Sequence, residues 1–328
     1  MERVGRSLAQ TVASLALWAT AAVGVGVTAT QLTGWNRSRW VAILQSFTPA
    51  LAITGVPVAA IGFRRRRLAL VAAGLATSGV LGAIVVPATR RRTRIVVPGQ
   101  PAPRSSLSIA HCNMLYLNID RSLDLAAALL WTDADVLAMS EITEHHRRAL
   151  VAAGAFDRYP HRVGRVARRS EGIVLWSRFP LHDVMIRPID SRPGIVATVE
   201  TQDGPIRVVL AHPDPPTMAR GLSRWKSSFE MIDMIASSPG PPTVIVADLN
   251  ASRWHPLFRR LLDCGWRDAH ELAGRGLAPS WPTDRRFVPP FIRLDHALLG
   301  PGLELVDAVD VDAPGSDHRA FLVSVVAL

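Results

Sequence analysis

Three long runs without a charged residue, all in the first ninety positions, constrain the fold of this chain of 328 residues more than any other feature. The runs cover residues 8–32, 40–63 and 68–89. About twenty apolar residues in an α-helix, which rises about 1.5 Å per residue, cross a hydrocarbon core of about 30 Å. We therefore expect residues 1–92 to form a transmembrane anchor of three helices. The first run also fits a cleaved signal peptide, but the other two would still hold the chain in the membrane.

The arginines beside these runs indicate the orientation of the anchor, because flanking Lys and Arg tend to remain in the cytoplasm. A cytoplasmic N-terminus keeps Arg3, Arg6 and residues 64–67 inside and leaves six other arginines outside, which is an equal number. We expect this orientation because four adjacent arginines in a short loop are the hardest group to translocate. The protein would then be a multi-pass cell-membrane protein whose large C-terminal domain lies outside the cytoplasm.

The net charge of +10 at pH 7 belongs to the N-terminal part of the chain. Residues 1–94 contain twelve arginines and one acidic residue, whereas residues 95–328 contain 25 basic and 26 acidic residues. A nearly neutral domain lacks the broad positive surface of proteins that coat DNA. The charge distribution therefore disfavours nucleic acid as a partner. The apolar runs make the lipid bilayer the expected partner, and the oligomeric state stays open.

Residues 93–106 are rich in Pro, Gly and Ser, which is typical of an extended linker, and residues 107–328 would form the catalytic domain. In this domain, short β-branched runs alternate with helical patterns, which predicts an α/β fold large enough for a two-sheet core. The predicted strands are 107–112, 135–139, 172–176, 195–199, 206–211, 242–247, 293–299 and 319–326. The predicted helices are 121–131, 144–153, 218–237 and 254–262.

Polar residues stand at the ends of six of these strands, or within one of them. Strand ends in α/β folds meet at one rim, where loops can carry a site on a rigid base. A single Asn, Asp or His in such a place is more often a turn residue or a satisfied half-buried histidine. Their repetition favours one functional site. The candidate residues are Asn113, Glu141, His212, Asp248, Asn250, Asp295, Asp317 and His318.

In the order and spacing of its motifs, the chain resembles the endonuclease/exonuclease/phosphatase superfamily over residues 105–328. The resemblance rests on the segments HCNMLYLN, DVLAMSE, GIVLWSRFPL, VVLAHPDP, VIVADLNA, RLDHAL and GSDHRAFLV. It implies a four-layered α/β sandwich, with two packed β-sheets flanked by helices, that cleaves phosphate esters with a divalent cation. The cation is usually Mg²⁺, with Mn²⁺ as an alternative. Together with its anchor, the chain is similar to a membrane-bound bacterial branch that includes teicoplanin-resistance membrane proteins.

The resemblance also implies a role for each candidate residue. Asn113, Glu141 and Asp317 would hold the cation, and magnesium does prefer hard oxygen ligands. The remaining residues would be catalytic: His212 as a donor to a non-bridging oxygen, Asp248 on the attacking water, Asn250 on a phosphate oxygen, and His318 with Asp295 as a general base or phosphate stabiliser. Whether Asp248 or His318 takes the proton stays open.

The chain departs from the usual motifs at a few positions. Ser140 replaces the common Gln before the metal-binding glutamate, and His296 replaces a frequent Tyr. The tyrosine that some nucleases place near the scissile phosphate has no clear counterpart, because Tyr116 and Tyr159 are the only tyrosines. These departures remove no metal ligand, but they weaken the case for an abasic-site nuclease.

The expected function is a membrane-anchored, metal-dependent phosphoester hydrolase. Its substrate would be a lipid or lipid-linked phosphate or diphosphate at the outer face of the membrane, because an anchor raises the local concentration of such substrates. One alternative is an anchored nuclease, with Arg165, Arg168 and Arg169, or Arg285 and Arg286, lining its groove. The other alternative is an envelope-binding protein without catalytic activity.

Overall fold

The computed structural model describes residues 2–90, 106–218 and 220–328, and for residues 2–7 only the backbone. The chain divides into two compact units, one of Met1–Ala88 with Trp254–Pro256 and one of Thr89–Arg253 with Leu257–Leu328. Except for Ser106, the linker predicted at residues 93–106 lies outside the described residues.

The N-terminal unit is helical. Its helices are α1 Glu2–Thr33, α2 Arg39–Ser46, α3 Thr48–Arg64 and α4 Leu68–Val85. Two stretches, Leu8–Thr33 and Leu68–Thr89, are long and apolar enough to cross a membrane, with mean hydropathies of 1.7 and 2.2. Helices α2 and α3 provide a third candidate span only if the two count as one span.

The second predicted span, residues 40–63, is not one continuous helix. Helices α2 and α3 meet at Phe47 and are bent by 73° relative to each other. Pro49 stands in the first turn of α3, where its missing N–H costs nothing, but it cannot continue an existing helix because its ring clashes with the preceding turn. Pro57 lies inside α3 without ending it.

Helices α3 and α4 pack closely because both carry glycine at the point of contact. A Cβ atom added at Gly74 would lie 2.4 Å from the carbonyl oxygen of Gly55, and one at Gly55 would lie 2.6 Å from the carbonyl oxygen of Gly74. Small residues at such positions let two helix backbones approach each other. The hydroxyl of Ser78 adds a hydrogen bond to the carbonyl of Ala52 at 2.7 Å.

In the described part of the C-terminal unit, twelve strands form two sheets of six. The strands are β1 Leu107–Asn113, β2 Val136–Ser140, β3 His161–Arg165, β4 Ile173–Ser177, β5 Leu181–Ile189, β6 Arg192–Thr201, β7 Gly204–Ala211, β8 Thr243–Asp248, β9 Arg267–Asp268, β10 Asp295–Leu299, β11 Leu303–Val311 and β12 Ala320–Ala327. The helices are α5 Ser122–Trp131, α6 Glu144–Ala152, α7 Ala155–Arg158, α8 Gly221–Ala236, α9 Pro256–Asp263 and α10 Ala269–Leu272.

The strand order is β11-β12-β1-β2-β4-β3 in the first sheet and β5-β6-β7-β8-β10-β9 in the second. Each sheet has one parallel pair at its centre, β1 with β2 and β7 with β8, whereas the other neighbours are antiparallel. Because strands in a parallel pair run the same way, their carboxyl ends lie at the same edge of the sheet.

The side chains of the central strands pack alternately into two separate cores, because successive side chains in a strand point to opposite faces of the sheet. Ile109 of β1 packs in a cluster that joins both sheets, whereas its neighbour Ala110 packs with Leu125 and Leu129 of α5. Helix α8, which connects β7 to β8, buries Trp225 and Phe229. The expected sandwich of two β-sheets flanked by helices is therefore confirmed.

Candidate active site

The strand register brings the candidate residues to one edge of the two sheets. Asn113 ends β1 and pairs with Ser140, which ends β2, so Glu141 follows directly. In the second sheet, Ala211 pairs with Ala247, so His212 follows one strand and Asp248 ends the other. Asp295 begins β10 directly opposite Asp248.

Two carboxylates, those of Glu141 and Asp248, converge on the same two neighbours. The side-chain Nδ2 of Asn113 lies 3.4 Å from Oε1 of Glu141 and 3.0 Å from Oδ2 of Asp248. The Nε2 of His212 lies 3.7 Å and 3.5 Å from the same two oxygens. Among the described residues, no arginine or lysine forms an ion pair with either carboxylate.

Glu141 and Asn250 both have a left-handed backbone, with φ of 55° and 49°. This conformation costs free energy in residues other than glycine and is concentrated at functional sites. The Oε2 of Glu141 accepts a hydrogen bond from the backbone N–H of Tyr116 at 3.2 Å. The backbone N–H of Asn250 donates to Oδ1 of Asp248 at 2.9 Å, and its side-chain Nδ2 donates to the carbonyl of Pro213 at 3.0 Å.

His318 and Asp295 form a buried ion pair beside the two carboxylates. The Nδ1 of His318 lies 2.8 Å from Oδ2 of Asp295, and its Nε2 lies 3.7 Å from Oδ2 of Asp248. Burial by itself would lower the pKa of His318, but the charges of Asp295 and Asp248 outweigh it and raise the pKa to about 10. Burial would likewise raise the pKa of Asp295, but the charge of His318 lowers it to about 2. His318 is therefore an imidazolium at neutral pH in the metal-free protein.

Asp317 lies at the more open side of this pair. Its Oδ1 is 3.9 Å from Nε2 of His318, and its Oδ2 accepts a hydrogen bond from the indole N–H of Trp281 at 3.0 Å. Through these contacts the structure brings all eight predicted residues into one cluster. Asn250 joins the cluster by its backbone N–H, while its amide turns to Pro213.

The donor chemistry fits a divalent cation at Glu141 and Asp248, because two neighbouring carboxylates that no described arginine or lysine pairs with would be stabilised by positive charge. Asn113 turns its amide nitrogen towards both carboxylates, and its Oδ1 accepts from the N–H of Leu115 at 3.0 Å, so the amide would have to turn over to offer oxygen. Ligand atoms of Asp248, Asp295 and His318 also lie within 4.8 Å of one another.

We favour Glu141 over Asp295 as the partner of Asp248 in holding the cation. The Oδ2 of Asp295 already accepts hydrogen bonds from His318 and from the hydroxyl of Ser280, the latter at 2.6 Å. Each oxygen of Glu141 has a single hydrogen-bond donor beside it, and the side chain of Glu141 is 13% exposed, whereas that of Asp295 is fully buried.

Three residues of the site were not predicted from the sequence: Ser280, Trp281 and His111. Ser280 and Trp281 come from a loop without regular structure and hold Asp295 and Asp317. His111 is fully buried inside β1, its ring nitrogens have no hydrogen-bond partner, and burial lowers its pKa to about 4. Its Nδ1 lies 3.8 Å from Oδ1 of Asp295. Of these three residues, only His111 had a signal in the sequence, namely a histidine inside the apolar pattern of a strand.

A sequence profile of the Endonuclease/Exonuclease/phosphatase family matches residues 111–318, which is more than half of the chain and includes every residue of the cluster. The chain belongs to this family. Members of the Endonuclease/Exonuclease/phosphatase family are usually phosphoesterases or nucleases, and they use divalent metals. No protein among the curated sequences matches the chain.

Solved structures with the same fold include a phosphatase and a protein bound to a DNA product. An endonuclease/exonuclease/phosphatase from Beutenbergia cavernae has a TM-score of 0.57 at 18% identity, covering 68% of this chain and 72% of that one. D. rerio TDP2, complexed with a single-strand DNA product, has a TM-score of 0.58 at 16% identity, covering 68% and 100%. A mannosyl-6-phosphatase of Bacteroides thetaiotaomicron has a TM-score of 0.53 at 15% identity, covering 67% and 100%. At these identities the likeness concerns the fold.

Proposed function

We propose that the chain is a membrane-anchored phosphoester hydrolase that requires Mg²⁺, with Mn²⁺ as a substitute. Its proposed substrate is a lipid or lipid-linked phosphate or diphosphate at the outer face of the membrane. One observation carries the proposal: the carboxylates of Glu141 and Asp248, neither paired with an arginine or lysine among the described residues, converge on Asn113 and His212, and Nε2 of His318 lies 3.7 Å from Asp248. This combination suits a cation and a phosphate group side by side.

A divalent cation bound by Glu141 and Asp248 would neutralise charge that builds up on the phosphoryl oxygens and the leaving oxygen. As an imidazolium, His318 would donate to a phosphate oxygen or to the leaving group. Asp295 holds its ring in place through Nδ1. Asp248 would then be the group that accepts the proton from water, and Asp317 would complete the surroundings of the cation. His212 would donate to a non-bridging oxygen.

The apolar helices support a substrate borne by the bilayer. Among the described residues, two helices are long and apolar enough to cross a membrane. A membrane anchor in the same chain as a catalytic unit would raise the effective concentration of lipid-borne substrate. The orientation of the anchor is the part of the proposal that rests on the arginine distribution alone.

The proposal is tested with the full chain in lipid nanodiscs and a substrate panel in the presence of Mg²⁺. The panel compares prenyl diphosphates, sphingomyelin, inositol phosphates and plasmid DNA. We expect hydrolysis of a lipid-linked phosphate or diphosphate, and a loss of at least about a thousandfold in Glu141→Gln. Glu304→Gln is the matched control, because Glu304 is exposed on the edge strand β11 and takes no part in the cluster.

Activity of Glu141→Gln equal to wild type would refute the metal site. Preferential cleavage of plasmid DNA would instead support the anchored nuclease, and binding of envelope lipids without turnover of any substrate would support a non-catalytic protein. A reporter that is active only outside the cytoplasm, fused after Leu328, tests the orientation; a silent reporter in well-expressed protein would reverse it.

A further inference from the structure

A groove of 820 Å³ opens on the C-terminal unit between three segments. They are residues 116–119 after β1, residues 143–145 at the start of α6, and residues 166–169 after β3. We call it the arginine groove, after Arg168 and Arg169. A volume of this size accommodates an organic ligand of several dozen atoms.

The arginine groove lies next to the candidate active site. Tyr116, which lines it, donates its backbone N–H to Oε2 of Glu141 at 3.2 Å. Ala167, on the opposite wall, donates its backbone N–H to the carbonyl of Ile142, the residue after Glu141, at 3.1 Å. Two residues that line the groove therefore contact Glu141 and the residue that follows it.

One wall of the groove is apolar and rigidly held. Leu117 and Ile119 are 66% and 54% exposed, whereas Asn118 between them is buried. The side-chain Nδ2 of Asn118 donates to the carbonyl of Pro314 at 3.1 Å, and its carbonyl lies 2.8 Å from Nε2 of His146. These contacts fix the loop in a shape that presents two apolar side chains to solvent, which costs free energy unless a ligand covers them.

The other wall is basic. Among the residues that the structure describes, neither Arg168 nor Arg169 has a hydrogen bond or ion pair, and both are exposed. Glu144, the acidic residue that lines the groove, already forms ion pairs with Arg147 and Arg148. These contacts lower the pKa of Glu144 to about 2, and the hydrogen bond from Arg147 is the largest cause. The groove therefore combines uncompensated positive charge with an apolar surface, which is the complement of an anionic amphiphile.

We propose that the arginine groove binds the part of an amphipathic diphosphate ester that does not react. Its second phosphate lies against Arg168 and Arg169, and its apolar chain lies on Leu117 and Ile119. This inference rests on the proposed function, since it takes the reacting phosphate to be at Glu141. In the step, the water oxygen bonds to the reacting phosphorus and the bridging P–O bond breaks. The bridging oxygen leaves on the second phosphate, and the proton lost by water is taken up by the site.

Binding is measured by calorimetry on the full chain in nanodiscs with Mg²⁺, using the inert methylene-bridged analogue of geranyl diphosphate. We expect Arg168→Ala and Arg169→Ala each to weaken binding about tenfold, which corresponds to about 1.4 kcal/mol. Both variants should bind geranyl monophosphate as wild type does. Arg187→Ala is the matched control, because Arg187 is exposed on β5 and lines a different cavity.

The apolar wall is tested by chain length. Wild type should bind the geranyl analogue more tightly than the dimethylallyl analogue, and Leu117→Asn should remove that difference while leaving dimethylallyl binding unchanged. Equal binding of the diphosphate analogue by wild type and both arginine variants would overturn the proposal. The proposal would also be overturned if wild type showed no measurable binding of the diphosphate analogue. It would be overturned as well if wild type bound a single-stranded oligonucleotide more tightly than the analogue and the same arginine variants abolished that binding.

These results separate the groove from the chemistry. The expected binding pattern in a protein that hydrolyses nothing would end the proposed function and leave the groove standing. If Arg168→Ala and Arg169→Ala hydrolyse the substrate at the wild-type rate and with the wild-type KM, the proposed function would be retained and the assignment of the groove would be refuted.

Discussion

Replacing Asp295 by Asn tests the buried ion pair of the site in its metal-free form. The variant has the same shape as wild type and can still accept hydrogen bonds from Ser280 and His318. It removes only the negative charge that faces the imidazolium. Taking away one partner of a buried pair costs about 3–5 kcal/mol, because the other charge is left without compensation.

The structure also determines how this cost depends on pH. The pKa of His318 is raised from 6.5 to about 10, so its stabilising contribution is complete below pH 6.5 and is lost as the pH rises towards 10. The pKa of Asp295 is lowered from 3.8 to about 2, so its contribution is present above pH 3.8 and is lost as the pH falls through 2. The pair therefore stabilises the fold fully between pH 3.8 and pH 6.5.

We expect thermal unfolding of metal-free Asp295→Asn, followed by tryptophan fluorescence, to occur roughly 10 °C below wild type at pH 6. The difference should shrink to less than half of that at pH 10, because half of the His318 side chains in wild type are then deprotonated and most of the stabilising contribution, which declines from pH 6.5 upward, is lost. An equal difference at both pH values, or a larger one at pH 10, would refute the reasoning. In that case the loss would come from packing around Asp295 rather than from its charge.

Three further variants test other parts of the site. Mg²⁺ at a hundred times its Kd should stabilise wild type by about 2.7 kcal/mol in thermal unfolding but leave Asp248→Asn unchanged, and an equal shift in both would place the ion elsewhere. Ser280→Ala should cost about 1–3 kcal/mol in denaturant unfolding because a buried oxygen of Asp295 loses a donor, and no measurable cost would show that this bond is dispensable. His111→Leu should unfold at the same temperature as wild type or higher, because both ring nitrogens of His111 are unpartnered; a loss of several kcal/mol would reveal a partner.

The eight strands predicted from the sequence are the eight inner strands of the two sheets, and the four missed strands are the four edges. Inner strands are buried on both faces and therefore read as continuous apolar runs. The edge strands β3 and β5 expose many of their residues, so their sequences resemble loops. The second predicted span is bent for a local reason, because Pro49 in the first turn of α3 begins a new helix and so interrupts a run that is continuous in hydropathy.

The sequence by itself determined which strands are central and which polar residues stand at their ends, because burial on both faces and the end of a strand are local patterns. Tertiary structure alone decided that Ser280 and Trp281, from a loop without a pattern, reach Asp295 and Asp317. It also decided that His318 is charged, since its pKa depends on carboxylates that lie 23 and 70 positions away along the chain. Contacts between distant segments follow from how the two sheets pack, and no local pattern encodes them.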